Sequence, residues 1–199
     1  MMTLRNPLAL LLVAGALAAT SVAIAANAPA GAGAAATSKA LPANADVSKI
    51  EGIPELEGAD IVRGKRMFSS QGGNCISCHG WDGDGTGRNP RAEGAAAMLR
   101  ESGLDAPGFI EIISCGIPGT PMPYHDSQAY KDNRCYGMVA ADFEANQEPH
   151  KGKSIKKNDI VNLVAYIMTS IQGKPKATYE DCAAWFETSA EKACAFMKK

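Results

Sequence analysis

Two cysteines and a histidine form the most chemically informative cluster in the chain. Cys75 and Cys78 are separated by two residues, and His79 follows the second cysteine directly. This spacing is typical of covalent haem attachment, in which each thiol adds to one vinyl group and the adjacent imidazole binds the iron. The alternative is a disulfide-prone or zinc-binding pair, although zinc would need further ligands in a compact cluster. The motif therefore predicts one covalently attached haem c.

A methionine between two prolines is the best candidate for the other axial position of the iron. Met122 lies between Pro121 and Pro123, whose rings fix φ and reduce the freedom that a ligand loop would lose. A thioether sulfur is one of the ligands used opposite a histidine. The competing ligands are Met98, Met138, Met168, His125 and His150. We expect Met168 to lie in the core. His125 is three residues beyond Met122 and could lie near the haem edge, but we favour a surface position.

The first 26 residues predict export from the cytoplasm. Arg5 precedes an apolar run dominated by Leu, Ala and Val, and small residues suited to signal peptidase follow it. An uncleaved anchor is the alternative, because the run approaches the ~20 residues that a bilayer needs. We expect cleavage, a periplasmic location and no stable membrane insertion afterwards.

Four cysteines remain after haem attachment, and an oxidising compartment favours their pairing. They are Cys115, Cys135, Cys182 and Cys194. Four cysteines allow three pairings. We favour the pairing of sequence neighbours, which joins Cys115 to Cys135 and Cys182 to Cys194.

The chain divides into four parts by composition and periodicity. After the signal peptide (1–26), residues 27–52 are rich in Ala, Gly and Pro and predict a flexible leader. A domain follows at 53–174, and residues 175–199 predict a helical extension. Apolar spacing predicts the individual helices, which are 59–70, 94–101, 105 or 106 to 114, 157–172, 179–186 and 190–197. Gly64 interrupts the first of them at a cost of about 1 kcal/mol. This cost favours close approach of another helix or of the haem, and the alternative is an amphipathic helix that tolerates the glycine.

A glycine-rich loop follows the cysteine motif and suits a chain that wraps closely around a flat ligand. Part of it also matches the ligand spacing of a calcium-binding EF-hand loop. The flanks disagree with calcium, because the haem motif occupies the entering helix and Pro90 interrupts the second half. The matching residues are Asp82, Asp84, Thr86, Gly87 and Glu93.

Residues 59–173 resemble the class I cytochromes c, small proteins with one haem. The resemblance rests on a helix ending at Phe68 before the sequence CISCHG, on GTPMPY around Met122, and on a late helix that contains LVAYIM. It implies an all-α class I cytochrome c fold, with His79 and Met122 as axial ligands. It also implies that Gly64 and Phe68 contact the region of Tyr166. Two features depart from the family pattern: the long segment after Met122, and an extra C-terminal helical hairpin.

These features predict an electron carrier rather than an enzyme. We expect a periplasmic dehydrogenase as donor, with a quinoprotein alcohol dehydrogenase as one option, and an oxidase or another cytochrome as acceptor. The alternatives are a haem subunit of a membrane-bound oxidoreductase complex and a ligand-binding or peroxidatic haem protein. The formal net charge of −1 gives no sign of a nucleic-acid partner, and we expect a monomer. A lysine group could steer an acidic partner or simply be solvated: Lys151, Lys153, Lys156 and Lys157.

Overall fold

The computed structural model of the protein describes residues 40–87, 96–144 and 147–198, in which the regular secondary structure is helical. The predicted signal peptide lies outside these segments. No strand forms within them, and their isolated β-bridges join Tyr124 to Lys151 and Cys135 to Met138. The all-α prediction is confirmed. The α-helices of these segments are α1 (Ile61–Phe68), α2 (Ile76–His79), α3 (Ala106–Cys115), α4 (Lys157–Ser170), α5 (Tyr179–Phe186) and α6 (Ala190–Ala193).

One predicted helix is wrong in the part that the structure describes. Residues 96–98 of the expected helix 94–101 are irregular, and a short 3₁₀ turn follows at Leu99–Glu101. The predicted helix at 190–197 is also shorter, since α6 gives way to a 3₁₀ turn at Ala195–Met197. Both segments lack the long apolar periodicity that identifies α4 from sequence.

Side-chain caps mark the starts of α1, α3 and α5. The Asp60 carboxylate accepts a hydrogen bond from the Arg63 amide at 2.9 Å, and Asp105 accepts one from the Gly108 amide at 2.9 Å. Thr178 and Asp181 exchange hydrogen bonds at the start of α5. Each cap satisfies amides that the first helical turn leaves without a partner.

The main core forms where α1 crosses α4. Gly64 lies at the crossing, and a Cβ at this position would lie 2.7 Å from the Tyr166 Cβ. Phe68 is fully buried, and its ring packs against Tyr166 with centroids 5.7 Å apart. The contact of Gly64 and Phe68 with the region of Tyr166, which the family resemblance implies, is therefore present. The helix that approaches closely at Gly64 is α4.

A bidentate ion pair adds a polar contact to the same crossing. The Arg63 guanidinium donates to both carboxylate oxygens of Asp159, with Nη2 2.7 Å from Oδ2. The Asn162 amide oxygen accepts a hydrogen bond from the Asp60 amide at 2.8 Å. These contacts fix the angle and register of the two helices.

The segment before α1 closes the C-terminal end of α4. Asp46 donates its amide to the Thr169 carbonyl at 3.0 Å, and Asn44 donates its side-chain amide to the Ser170 carbonyl at 2.9 Å. The last carbonyls of a helix need such partners. Part of the expected flexible leader, 27–52, therefore contacts α4 through polar groups at Asn44 and Asp46, and Ala45 and Ile50 pack against the main core.

Helix α5 packs on the α1–α4 crossing. The Trp185 ring lies 6.1 Å from Phe68 and 5.9 Å from Tyr166, centroid to centroid. A disulfide between Cys182 and Cys194 ties α5 to the residue that follows α6. The other predicted disulfide, Cys115 to Cys135, is also present, so the pairing of sequence neighbours is confirmed.

None of the helices within the described residues is both long and apolar enough to cross a membrane.

Candidate functional site

The cysteine motif folds into a single helical turn. Cys75 precedes α2 and its carbonyl accepts the amides of Cys78 at 3.2 Å and His79 at 2.9 Å. Both motif cysteines remain thiols, whereas the other four cysteines form disulfides. Cys75 and Cys78 therefore do not form the disulfide that was the alternative to haem attachment. Burial raises the pKa of the Cys75 thiol to about 12, which keeps the sulfur protonated at neutral pH.

The imidazole of His79 is oriented by a backbone carbonyl. Its Nδ1 lies 2.9 Å from the Ala97 carbonyl oxygen, and because a carbonyl only accepts, Nδ1 carries the proton. Nε2 then holds the lone pair, which is the arrangement of a histidine ready to bind a metal. Burial lowers the pKa of His79, and this favours the same neutral form.

The loop after the motif folds back on it. The Gly85 amide donates to the His79 carbonyl and the Gly87 amide donates to the Cys78 carbonyl, both at 2.9 Å. A Cβ on Gly87 would lie 2.4 Å or closer to main-chain atoms of this turn, so a side chain there would displace the motif. The glycine at this position is therefore required by close packing against the site.

The segment that carries Ala97 is anchored on the same loop. The Leu99 amide donates to the Gly83 carbonyl at 2.8 Å, and the Arg100 guanidinium lies 3.0 Å from the carboxylate of Asp82. Only about a tenth of each charged side chain is exposed, 11% and 13% respectively. These contacts hold the carbonyl that orients His79. No sequence motif indicates this role for Ala97, because Ala97 acts through its main chain.

The calcium alternative finds no support in the described part of the loop. The Asp82 carboxylate faces Arg100, and one oxygen of Asp84 accepts from both the amide and the hydroxyl of Thr86 at 2.8 and 2.6 Å. No cluster of three His, Cys, Asp or Glu side chains that could hold a metal ion occurs in the described segments. Glu93, the last residue of the matching pattern, lies outside them.

Met122 lies in a short ordered loop between α3 and the long segment that follows. Its side chain is partly buried and packs against the main core. Its amide donates to the Thr120 hydroxyl at 3.2 Å, and its carbonyl accepts the Ile117 amide at 3.2 Å. The role of its sulfur as the sixth ligand stays a prediction.

The competing ligands differ in their surroundings. Met168 is buried in α4, as expected, and Met98 is exposed. The surface location expected for His125 is wrong: only 4% of this residue is exposed, and its Nδ1 lies 2.7 Å from the Lys153 carbonyl. A Cβ on Gly152 would lie 2.7 Å from Cε1 of His125, so the imidazole occupies the space that a side chain at position 152 would need. Burial lowers the pKa of His125, so the imidazole is held neutral as part of the fold.

The donor set fits a covalently attached haem. Two thiols of one helical turn are available to two vinyl groups, and the adjacent imidazole is held with Nε2 ready for iron. Carbon–sulfur attachment needs reduced thiols. The two disulfides pair the other four cysteines with one another, so Cys75 and Cys78 remain reduced.

Comparison with known proteins gives the family of the chain. The family model for cytochrome c matches residues 61–170. The chain belongs to the cytochrome c family. The match begins at the first residue of α1 and ends at the last residue of α4, so it includes the cysteine motif and Met122. Neither the curated proteins nor the solved structures contain a significant match to the chain.

Membership of the family establishes haem-based electron transfer as the general role of this cytochrome. Cytochromes c are electron carriers rather than enzymes. Helices α5 and α6 lie beyond the matched range, so the family match does not account for them.

Proposed function

We propose that this cytochrome is a class I electron carrier of the periplasm, with one haem c attached to Cys75 and Cys78. In this proposal His79 and Met122 are the two axial ligands. The observation that carries it is the hydrogen bond from His79 Nδ1 to the Ala97 carbonyl. That bond fixes the tautomer and leaves the lone pair on Nε2 of a histidine that directly follows the two motif thiols in one helical turn.

Met122 favours a carrier over a ligand-binding haem protein. Its side chain packs against the core rather than extending into solvent, and its loop is ordered by hydrogen bonds on both sides of the methionine. A sixth ligand held in this way occupies the position that a peroxide or a gas molecule would need.

When bound, a haem with histidine and methionine ligands supplies a one-electron couple whose potential the thioether raises. The protein residues would keep the coordination unchanged as the electron enters and leaves. His79 would keep its orientation through Ala97, and thioether bonds formed from the Cys75 and Cys78 thiols would fix the ring to the chain. Small rearrangement of the site on electron transfer suits a carrier.

The partners we propose are an exported dehydrogenase as electron donor and an oxidase or another cytochrome as acceptor. Docking between such proteins is weak and buries a small surface. The lysines 151, 153, 156 and 157 are exposed and would speed encounter with an acidic partner, an effect that salt screens. Cross-linking of the native protein in its cell extract, followed by identification of the attached chain, tests this proposal directly.

The spectrum of the purified protein tests the ligand assignment. We expect a weak near-infrared sulfur-to-iron band in the ferric form, and no spectral change when carbon monoxide is added to the ferrous form. Met122→Ala should keep the covalent haem but lose the band and bind carbon monoxide. Met98→Ala is the matched control, because Met98 is exposed and its loss should leave the spectrum unchanged.

Two outcomes would contradict the proposal. Rapid carbon monoxide binding by the unmodified protein would favour the ligand-binding alternative. Persistence of the near-infrared band in Met122→Ala would show that another methionine binds the iron. The intact mass of the mature protein tests export separately, since we expect a chain that begins near residue 27 and carries the mass of one haem.

A further inference from the structure

The loop that carries Met122 returns close to its starting point. We call residues 116–123 the Met122 loop. Gly116 at its start has φ +66°, and a Cβ there would lie 2.8 Å from the main chain of Met122, Pro123 and Tyr124. The entry and exit of the loop are therefore in contact. Contacts that hold these two ends together also determine where the methionine sulfur lies.

Tyr130 binds both ends of the Met122 loop. Its hydroxyl donates to the Cys115 carbonyl at 2.6 Å, immediately before the loop. Its ring packs edge-on against Tyr124, immediately after the loop, with centroids 5.8 Å apart. Phe143 covers the ring at 5.0 Å, and only 4% of Tyr130 is exposed.

Two further contacts fix the entry of the loop. The Tyr136 hydroxyl donates to the Gly116 carbonyl at 2.7 Å, and the Cys115–Cys135 disulfide joins the same point to the same segment. Both tyrosines have positive φ, 60° for Tyr130 and 56° for Tyr136. Left-handed backbone is unfavourable for a tyrosine and persists where surrounding contacts impose it, most often at functional sites.

The Tyr130 hydroxyl is a dependable donor. Burial raises its pKa to about 12, so the proton that bonds the Cys115 carbonyl stays in place across physiological pH.

We propose that Tyr130 is a positioning residue for the sixth ligand: it keeps the Met122 loop closed and so sets how readily an external ligand displaces the methionine from the iron. Tyr136 supports the same function at the loop entry. The inference rests on the proposed function, since it requires Met122 to bind the iron.

The test measures displacement of the methionine in the full-length protein with its haem. Imidazole is added to the ferric form, and loss of the near-infrared band is followed over time. Tyr130→Phe removes the hydroxyl and keeps the ring, so we expect the band at rest but roughly fivefold faster displacement, as for loss of one hydrogen bond. Tyr179→Phe on α5 is the matched control, since its ring contact with Lys198 survives the change, and its rate should equal that of the unmodified protein.

A second control separates positioning from general stability. Ile61→Val removes one methyl group from the core at the start of α1. We expect it to lower the unfolding temperature while leaving the hydrogen bonds at the entry of the Met122 loop intact. Equal displacement rates for Tyr130→Phe and the unmodified protein would overturn the inference. It would also be overturned if Ile61→Val accelerated displacement as much as Tyr130→Phe at a matched loss of stability.

Failure of the ligand assignment has a different signature. In that case the unmodified protein lacks the near-infrared band, or Met122→Ala retains it. If the inference alone fails, the near-infrared band is present in the unmodified protein and absent in Met122→Ala. Imidazole then displaces the methionine at the same rate in Tyr130→Phe as in the unmodified protein.

Discussion

Two histidines of this cytochrome make similar hydrogen bonds but have different surroundings. The Nδ1 proton of His79 bonds the Ala97 carbonyl, and Nε2 therefore holds the lone pair. His125 also has one nitrogen on a backbone carbonyl, that of Lys153, but its amide and carbonyl join α3 to the chain before α4. The His79 hydrogen bond orients a ring in the cysteine motif, whereas the His125 contacts join separate parts of the fold.

The burial of His125 predicts a pH dependence of stability. Because its folded pKa is lowered, the unfolded chain binds a proton that the folded chain excludes once the pH falls below about 6.5. The contribution of neutral His125 to stability is complete above about pH 6.5. It is lost progressively as the pH falls from there to the lower pKa of His125 in the folded chain. The slope from one excluded proton is at most about 1.4 kcal/mol per pH unit.

Thermal unfolding of the protein and of His125→Asn over mildly acidic pH checks this expectation. The asparagine amide can still donate to the Lys153 carbonyl but does not titrate. We expect the unmodified protein to lose stability faster than the variant on acidification. Parallel curves would show that His125 titrates alike in the folded and unfolded chain.

Residue types alone identified the cysteine motif but not the groups that support it. Cys75, Cys78 and His79 are recognisable because their chemistry lies in their side chains and their spacing. Ala97 acts through a carbonyl that every residue possesses, so nothing in the sequence distinguishes it. The sequence does not indicate the burial of His125, because that burial depends on Gly152 and Lys153, which the fold brings beside it from a distant part of the chain.

At the scale of elements, the α1–α4 crossing depends on the absence of a side chain at Gly64. Alanine is the better helix former by about 1 kcal/mol, yet its methyl group would overlap the Asn162 carbonyl and lie 2.7 Å from the Tyr166 Cβ. We expect Gly64→Ala to lower the free energy of unfolding by about 2 kcal/mol, since overpacking outweighs the propensity gain. Denaturant unfolding followed by far-UV circular dichroism measures the change.

Gly103→Ala is the matched control for this prediction. A Cβ at Gly103 meets no atom within 4 Å, and its φ is not positive. The substitution should be neutral or slightly stabilising, because it reduces the freedom of the unfolded chain. Equal effects of the two substitutions would show that α1 and α4 can separate at no cost.

The helices with strong apolar periodicity were the easiest to predict. In α4 the apolar face continues over four turns, and its start at Lys157 was predicted correctly. The segment before α1 was not, because Asn44 and Asp46 bind α4 through polar groups. Such contacts have no periodic signature and become visible only once the end of α4 is located.

At the scale of the whole molecule, an aromatic cluster joins the family core to the helices beyond it. Trp185 of α5 contacts Phe68 and Tyr166, and the Lys65 ammonium lies 4.8 Å from the Trp185 ring. The disulfide at Cys182 and Cys194 keeps α5 and the following turn together. Helix α5 of the extension therefore packs on the α1–α4 crossing. This crossing and the Met122 loop are different elements of the chain.

This arrangement predicts that the extension affects stability more than haem ligation. Trp185→Ala should lower the free energy of unfolding by about 3 kcal/mol, at the lower end for a large aromatic ring because Trp185 is partly exposed. The near-infrared band and the resistance to imidazole should not change. Phe196→Ala is the control, because 65% of Phe196 is exposed, and its stability should stay near that of the unmodified protein.

The cross-links of the chain also bear on its biosynthesis. The motif cysteines lie at 75 and 78, one disulfide joins 115 to 135, and the other joins 182 to 194. No cross-link encloses or interleaves with another. A chain that emerges from its amino end therefore presents each cysteine with its partner before the next pair arrives, and correct pairing requires no reshuffling of bonds already made.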